Sequence, residues 1–150
     1  MERSPKTLVV DASTVVKWFV QETDSDKASV LKTAHQNGDL QLTAPDLLIY
    51  EVSNALNYNP KMRVEEIVGS INRLFELDID LIPPSMEFTN ETCKFAQKHN
   101  IAIYDASYVT LADMIGTNCV TADGKLQKKL SDKKSLYLLA TLGKEWDVPR

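Results

Sequence analysis

The feature that most constrains this chain is an alternation. Apolar runs of only three or four residues recur between longer segments with helical periodicity. Strands that alternate with helices are joined by crossovers, and crossovers build a parallel sheet covered on both faces. Leu8-Val9-Val10 is short and rich in β-branched residues, which suits a central buried strand ending at Asp11. Ser13 to Val20 continues as an apolar helix, and Asp24 or Ser25 caps a second helix reaching Gln36. Asn37-Gly38-Asp39 marks a turn before the strand Leu40-Gln41-Leu42-Thr43, and Pro45 suits the first turn of a helix ending at Asn57. Beyond Asn59-Pro60, Val64 to Leu77 repeats apolar residues at Ile67, Val68, Ile71, Leu74 and Phe75. Ile79 to Ile82 reads as a strand stopped by Pro83-Pro84. Helices follow over Asn90 to Lys98 and Asp105 to Ile115, the latter stopped by Gly116-Thr117-Asn118. Cys119-Val120-Thr121 is a strand, Gly124 to Leu130 a helix, and Leu136 to Leu139 a final strand. The expectation is an α/β domain with five strands in a mainly parallel sheet, one domain across residues 1–150.

Composition narrows the chemistry. With 43% hydrophobic and 25% charged residues the chain has an ordinary globular make-up, and no apolar run is long enough to span a bilayer. Met1-Glu2-Arg3-Ser4-Pro5-Lys6 has no apolar leader, so a cytoplasmic location without membrane contact is expected. Cys93 and Cys119 stand far apart, outside any C-x-x-C arrangement; both are expected as small buried residues rather than as a disulfide or zinc site. His35 and His99 stand alone among polar neighbours and are expected at the surface. The five glycines form neither a G-x-G-x-x-G nor a P-loop. An aspartyl phosphotransferase of the haloacid-dehalogenase type would have a second Asp where Ser13 stands. A receiver domain would carry a phosphoacceptor after its third strand, where Pro83-Pro84-Ser85 stands. Carboxylates remain as the carriers of chemistry.

In open parallel sheets, ligands bind beyond the carboxyl ends of the strands. Asp11 and Asp123 fall at two such ends, where each reads either as a helix cap or as a ligand. Glu51 lies in an apolar helix stripe, with Leu47 one turn before it, Ala55 one turn after, and Leu48 and Val52 beside it. A carboxylate placed there calls for a cation, a hydrogen-bonding partner or a bound proton. Asp105 follows Ile101-Ala102-Ile103-Tyr104 and opens a tightly packing helix, again as cap or ligand. Acids gathered at one mouth repel unless protonated or neutralised, and an all-oxygen cluster points to Mg²⁺ or Mn²⁺ rather than zinc. The net charge of −4 is not the basic signature usual for a nucleic-acid enzyme. Setting the four acids aside leaves 17 acidic against 17 basic residues. Lys125, Lys128, Lys129, Lys133 and Lys134 cluster late in the chain, as a solvated helix face or as a phosphate-attracting surface.

Four segments together resemble the motif blocks of the PIN-domain nucleases, and among them the VapC-type toxins of prokaryotic toxin–antitoxin pairs. These are Val9-Val10-Asp11-Ala12-Ser13, Tyr50-Glu51-Val52-Ser53-Asn54-Ala55-Leu56, Tyr104-Asp105-Ala106-Ser107-Tyr108-Val109-Thr110-Leu111-Ala112 and Val120-Thr121-Ala122-Asp123-Gly124-Lys125-Leu126. The likeness runs from about Leu8 to Leu139 in the family's order. It implies a three-layer α/β/α sandwich with a five-stranded parallel sheet. It also implies a metal-dependent ribonuclease whose acids are Asp11, Glu51, Asp105 and Asp123, holding Mg²⁺ or Mn²⁺. Ser13 and Thr121 fall where the family has hydroxyls that orient acids or a water, and Asn54 matches a frequently polar position. The resemblance further implies an RNA substrate, single-stranded by preference, and a separate antitoxin. The stripe of Val64, Ile67, Val68 and Ile71 is expected to serve a partner groove, a homodimer contact or simple core packing. A PIN-like subunit that binds RNA or protein without cutting is the alternative.

Overall fold

The computed structural model describes residues 6–149, so the reading of the first five residues as free of a leader lies outside the described residues. Five strands pair in parallel in the order β3-β2-β1-β4-β5: β1 Lys6–Val10, β2 Leu40–Pro45, β3 Asp80–Ile82, β4 Asn118–Thr121 and β5 Leu136–Leu138. The helices are α1 Ala12–Val15, α2 Ser25–Gln36, α3 Leu48–Asn57, α4 Val64–Glu76, α5 Met86–His99, α6 Ile103–Ile115 and α7 Gly124–Lys129. From β1 the chain winds outward through α1 and α2 to β2, then through α3 and α4 to β3. Helices α5 and α6 carry it back across the sheet to β4, and α7 leads outward to β5. Right-handed crossovers in opposite directions put the two sets of helices on opposite faces, which makes the three-layer α/β/α sandwich. Val9, Val10 and Val120 are completely buried at the sheet centre. Each stabilises the fold by about 1.5 to 3 kcal/mol through removal from water. The winding reverses between β1 and β4, and this switch point positions the site.

Several boundaries depart from the expectation, each for a local reason. The helix expected over Ser13 to Val20 shortens to α1 plus a 3₁₀ turn, Val16–Trp18. Consecutive β-branched residues, Thr14, Val15 and Val16, weaken the α-helix there. Pro45 ends β2 instead of opening α3. It lies beyond the stretch of β2 paired with β1, so its missing N–H leaves no gap in the ladder. α5 starts four residues before Asn90, because the Ser85 hydroxyl accepts the Phe88 N–H at 3.1 Å. Cys93 is exposed, whereas Cys119 is buried as expected.

His35 is half-buried, not on the surface. Its Nδ1 accepts the Leu42 N–H at 3.1 Å and its Nε2 lies 2.6 Å from the Leu77 carbonyl, fastening α2 to β2 and to the end of α4. His99 is also partly buried, with its ring 4.3 Å from that of Phe95. On α4 the apolar stripe divides. Ile67 and Ile71 pack against the core, while Val64 and Val68 are 65% and 53% exposed. Among the described residues no helix is long and apolar enough to cross a membrane.

Candidate active site

Asp11 leaves β1 at the switch point, and its backbone N–H donates to the Val120 carbonyl of β4 at 3.2 Å. The side chain is 6% exposed and accepts four hydrogen bonds, all from neutral groups. Thr121 Oγ1 donates to Oδ2 at 2.5 Å. Ser13 Oγ donates to Oδ1 at 2.7 Å, joined by the Thr14 N–H at 3.2 Å and the Thr14 hydroxyl at 3.3 Å. Asp11 is therefore the cap of α1, and that role leaves it at the carboxyl end of β1, where a ligand would bind. Burial pushes its carboxyl up to about 6, even though the bonds from Thr121, Ser13 and Thr14 pull the other way. A carboxylate so placed, with no cation beside it, has unspent capacity to attract positive charge.

The two hydroxyls extend this network across the strands. Ser13 Oγ accepts the Ala122 N–H at 2.9 Å, and Thr121 Oγ1 accepts the Asp123 N–H at 3.1 Å. Asp123 is exposed and caps α7, its Oδ1 accepting from the Lys125 and Leu126 N–H groups at 3.0 and 3.2 Å. Glu51, in the first turn of α3, is half-buried. The stripe read around it is rotated by one position. Leu48, Val52 and Leu56 face the core, Ala55 is exposed, and Glu51 stands at the core's margin. Tyr108 of α6 donates its hydroxyl to Glu51 Oε1 at 2.6 Å. Burial raises the Glu51 carboxyl, the Tyr108 bond lowers it, and the neighbouring charge of Asp105 raises it further.

Asp105 does not cap its helix. α6 begins at Ile103, after Ala102, so Asp105 lies in the first turn, where the positive end of the helix dipole favours a carboxylate. Burial and then the charge of Asp123 raise its carboxyl. The electrostatic chain Glu51–Asp105–Asp123 thus joins the acids of α3, α6 and α7 around the end of β1. None of the four acids forms an ion pair among the described residues. Nor do three His, Cys, Asp or Glu side chains among them already stand close enough to grip one ion together. Asp11 is the one buried acid of the four; Glu51 and Asp105 are half-buried and Asp123 is exposed. That donor set fits Mg²⁺ or Mn²⁺, since Mg²⁺ keeps several waters and binds directly through only one or two carboxylates. Zinc would call for His or Cys ligands.

A PIN domain pattern matches residues 8–131. The chain is also 32% identical over 126 residues to ribonuclease VapC3 of Pyrobaculum aerophilum, covering 81% of this chain and 93% of that protein. The chain belongs to the PIN-domain family. Similar solved PIN-type folds include PAE2754 from Pyrobaculum aerophilum, with a TM-score of 0.65, 24% identity, and coverage of 92% of this chain and 86% of that one. The sarcin-ricin loop cleaving toxin VapC20 of Mycobacterium tuberculosis has a TM-score of 0.64 at 12% identity, covering 81% and 93%. VapBC2 from Rickettsia felis, solved bound to a DNA fragment from its promoter, has a TM-score of 0.63 at 14% identity, covering 88% and 96%.

Within this PIN domain the structure ties Ser13 and Thr121 directly to Asp11. It makes no such link for Asn54, which is exposed and, among the described residues, forms no side-chain hydrogen bond to the acids. Two participants were not singled out from sequence. Thr14 was detectable as the third residue after a capping Asp, where a backbone N–H meets the cap. Tyr108 had a weaker signal, its place one turn after Asp105 on α6.

Proposed function

We propose that this PIN domain is a divalent-metal-dependent ribonuclease and the toxin of a toxin–antitoxin pair, acting in the cytoplasm as one domain. The observation that carries the reading is Asp11: a buried carboxylate at the switch point that accepts hydrogen bonds from neutral donors and forms no ion pair among the described residues. The likeness to ribonuclease VapC3 supplies the substrate class.

Asp11, with Asp123 across the strands, would hold the ion, and Glu51 and Asp105 would join directly or through water. A bound Mg²⁺ or Mn²⁺ supplies charge for the phosphoryl oxygens and acidifies a water. The protein's own part is orientation. Thr121 and Ser13 fix both Asp11 oxygens, so the carboxylate meets its ligand in one rotamer. Tyr108 occupies Glu51 Oε1 and leaves Oε2 free to take a proton from an attacking water. Burial raises the proton affinity of Glu51 and of Asp105 above that of an exposed carboxylate.

VapBC2 of Rickettsia felis and VapBC-5 of Mycobacterium tuberculosis, the latter a member of the VapBC family of toxin–antitoxin systems, share this fold. By that analogy a separate antitoxin would cover this mouth, its Arg or Lys reaching the four acids. Exposed Val64 and Val68 offer apolar contacts for it or for a second copy of this chain. The deciding experiment is RNA cleavage by the purified protein with Mn²⁺, lost in Asp11→Asn at unchanged secondary structure. Wild-type rates in Asp11→Asn would overturn the assignment.

A further inference from the structure

The segment from Gly124 to Lys134 carries five lysines against one aspartate, within a chain whose net charge is −4. The nuclease site does not account for that concentration. Helix α7 starts at Asp123 and, with a rise of about 1.5 Å per residue, carries Lys128 and Lys129 roughly 8 Å from the acid mouth. The chain then turns through Lys133 and Lys134 into edge strand β5. That strand pairs Leu138 with Thr121, the residue that holds Asp11. A cleft of about 480 Å³ runs along β5, bordered by Gln127, Lys133, Lys134, Tyr137 and Trp146, with Glu145 as its one acid. Tyr137 and Trp146 are stacked, ring centroids 4.9 Å apart and planes inclined by 19°. The Trp146 indole N–H is anchored on the Leu138 carbonyl at 2.9 Å.

Lys133 is tied to Asp113 at 2.6 Å, whereas Lys125, Lys128 and Lys134 are exposed and make no ion pair among the described residues. Trp146 is buried and backs the partly exposed Tyr137 ring, so unpaired lysines beside that ring match the needs of a single-stranded polynucleotide: cations for the backbone and a π surface for a base. Most of the cleft lies past residue 131, where the PIN pattern match ends.

We propose that α7 and the β5 cleft form an accessory binding track for single-stranded RNA, which leads the strand toward the acids. The proposal rests on the ribonuclease reading, in that the bound strand is the substrate's flank. The test separates the two by measuring binding without cleavage. Anisotropy of a labelled 12-nucleotide oligouridine is followed in EDTA for wild type and for Lys128→Glu/Lys134→Glu, two exposed positions outside the acid site. The expected result is at least tenfold weaker binding and a salt slope shallower by about 1.4, from two lost phosphate contacts on a single strand. Tyr137→Ala weakens binding of oligouridine and leaves binding of polyphosphate unchanged.

With Mn²⁺, the lysine variant cleaves the dinucleotide UpU at the wild-type rate but needs a higher concentration of long RNA. Unchanged affinity and salt slope would overturn the track, as would equal binding of oligoglutamate, which would assign the surface to an acidic protein. If wild type cleaves no RNA, the nuclease reading fails and the anisotropy result still decides the track.

Discussion

Asp11→Asn probes the buried carboxylate without removing its frame. The Asn carbonyl keeps the bonds from Ser13 and Thr14, and its amide N–H₂ faces the Thr121 hydroxyl, which can turn to accept. In wild type without metal, the Asp11 carboxyl sits at about 6 when folded against 3.8 unfolded. The folded state therefore binds the proton more tightly. Its stabilising contribution is complete below pH 3.8 and is lost as pH rises through about 6. A shift of this size corresponds to about 3 kcal/mol in all, and about 1 kcal/mol of it returns on acidification from pH 7.5 to pH 5. Asp11 is 6% exposed, so solvent screens little of this.

Urea denaturation in EDTA at pH 7.5 and pH 5 is the assay, with the variant as reference, because Glu51, Asp105 and every other titrating group are shared by both proteins. The wild-type minus variant difference should move by about 1 kcal/mol in favour of wild type at pH 5. At pH 7.5 the neutral Asn should be the more stable of the two. With saturating Mn²⁺ the pH dependence should shrink, since an ion favours the ionised carboxylate as strongly as burial opposes it. Identical pH dependence of the two proteins in EDTA would refute the claim that Asp11 is a desolvated acid awaiting a cation.

Mn²⁺ at a hundred times its dissociation constant should stabilise wild type by about 2.7 kcal/mol, read as a rise in melting temperature, with a much smaller rise in Asp11→Asn and Asp123→Asn. Tyr108→Phe removes a bond to a charged group, costing about 1.5 to 3 kcal/mol in denaturation. The same change lifts the Glu51 carboxyl further, so the acidic limb of the pH–rate profile should move to higher pH, and an unmoved limb would exclude Glu51 as the titrating group. Expression of the chain alone should arrest growth of a host cell and co-expression of its antitoxin should relieve it; normal growth with active protein present would remove the toxin role and leave the nuclease standing.

What the sequence reveals here depends on the range of each interaction. Leu8-Val9-Val10 ending in Asp11 identifies the central strand and the first acid because both signals are local. Ser85 shows the opposite hazard, since its cap begins α5 four residues earlier than the apolar pattern suggests. Pro45 has two compatible positions, helix start or strand end, and only the limited pairing of β2 with β1 decides between them. For Glu51 the apolar stripe located the right helix but rotated its face, making Ala55 buried when it is exposed. The Glu51–Tyr108 bond spans 57 positions and two helices. No local pattern encodes it, and Tyr108 on its own reads as one more core aromatic of α6. The lysines after Gly124 were visible as a cluster, but the cleft beside them required the β5 turn to bring Tyr137 against Trp146.

The paired hydroxyls of Ser13 and Thr121 have a consequence for how such a protein can diversify. They bind the reactive end of β1 to that of β4, so the geometry of Asp11 depends on two adjacent strands out of five. Strands β3 and β5 lie at the margins, each with a single neighbour in the sheet. Exchanged side chains at either margin remove no hydrogen bond to Asp11, because among the described residues none originates there, although the β5 backbone pairs with Thr121. The clasp on Asp11 is thereby confined to the middle of the sheet, and side chains at the rims can vary without breaking it.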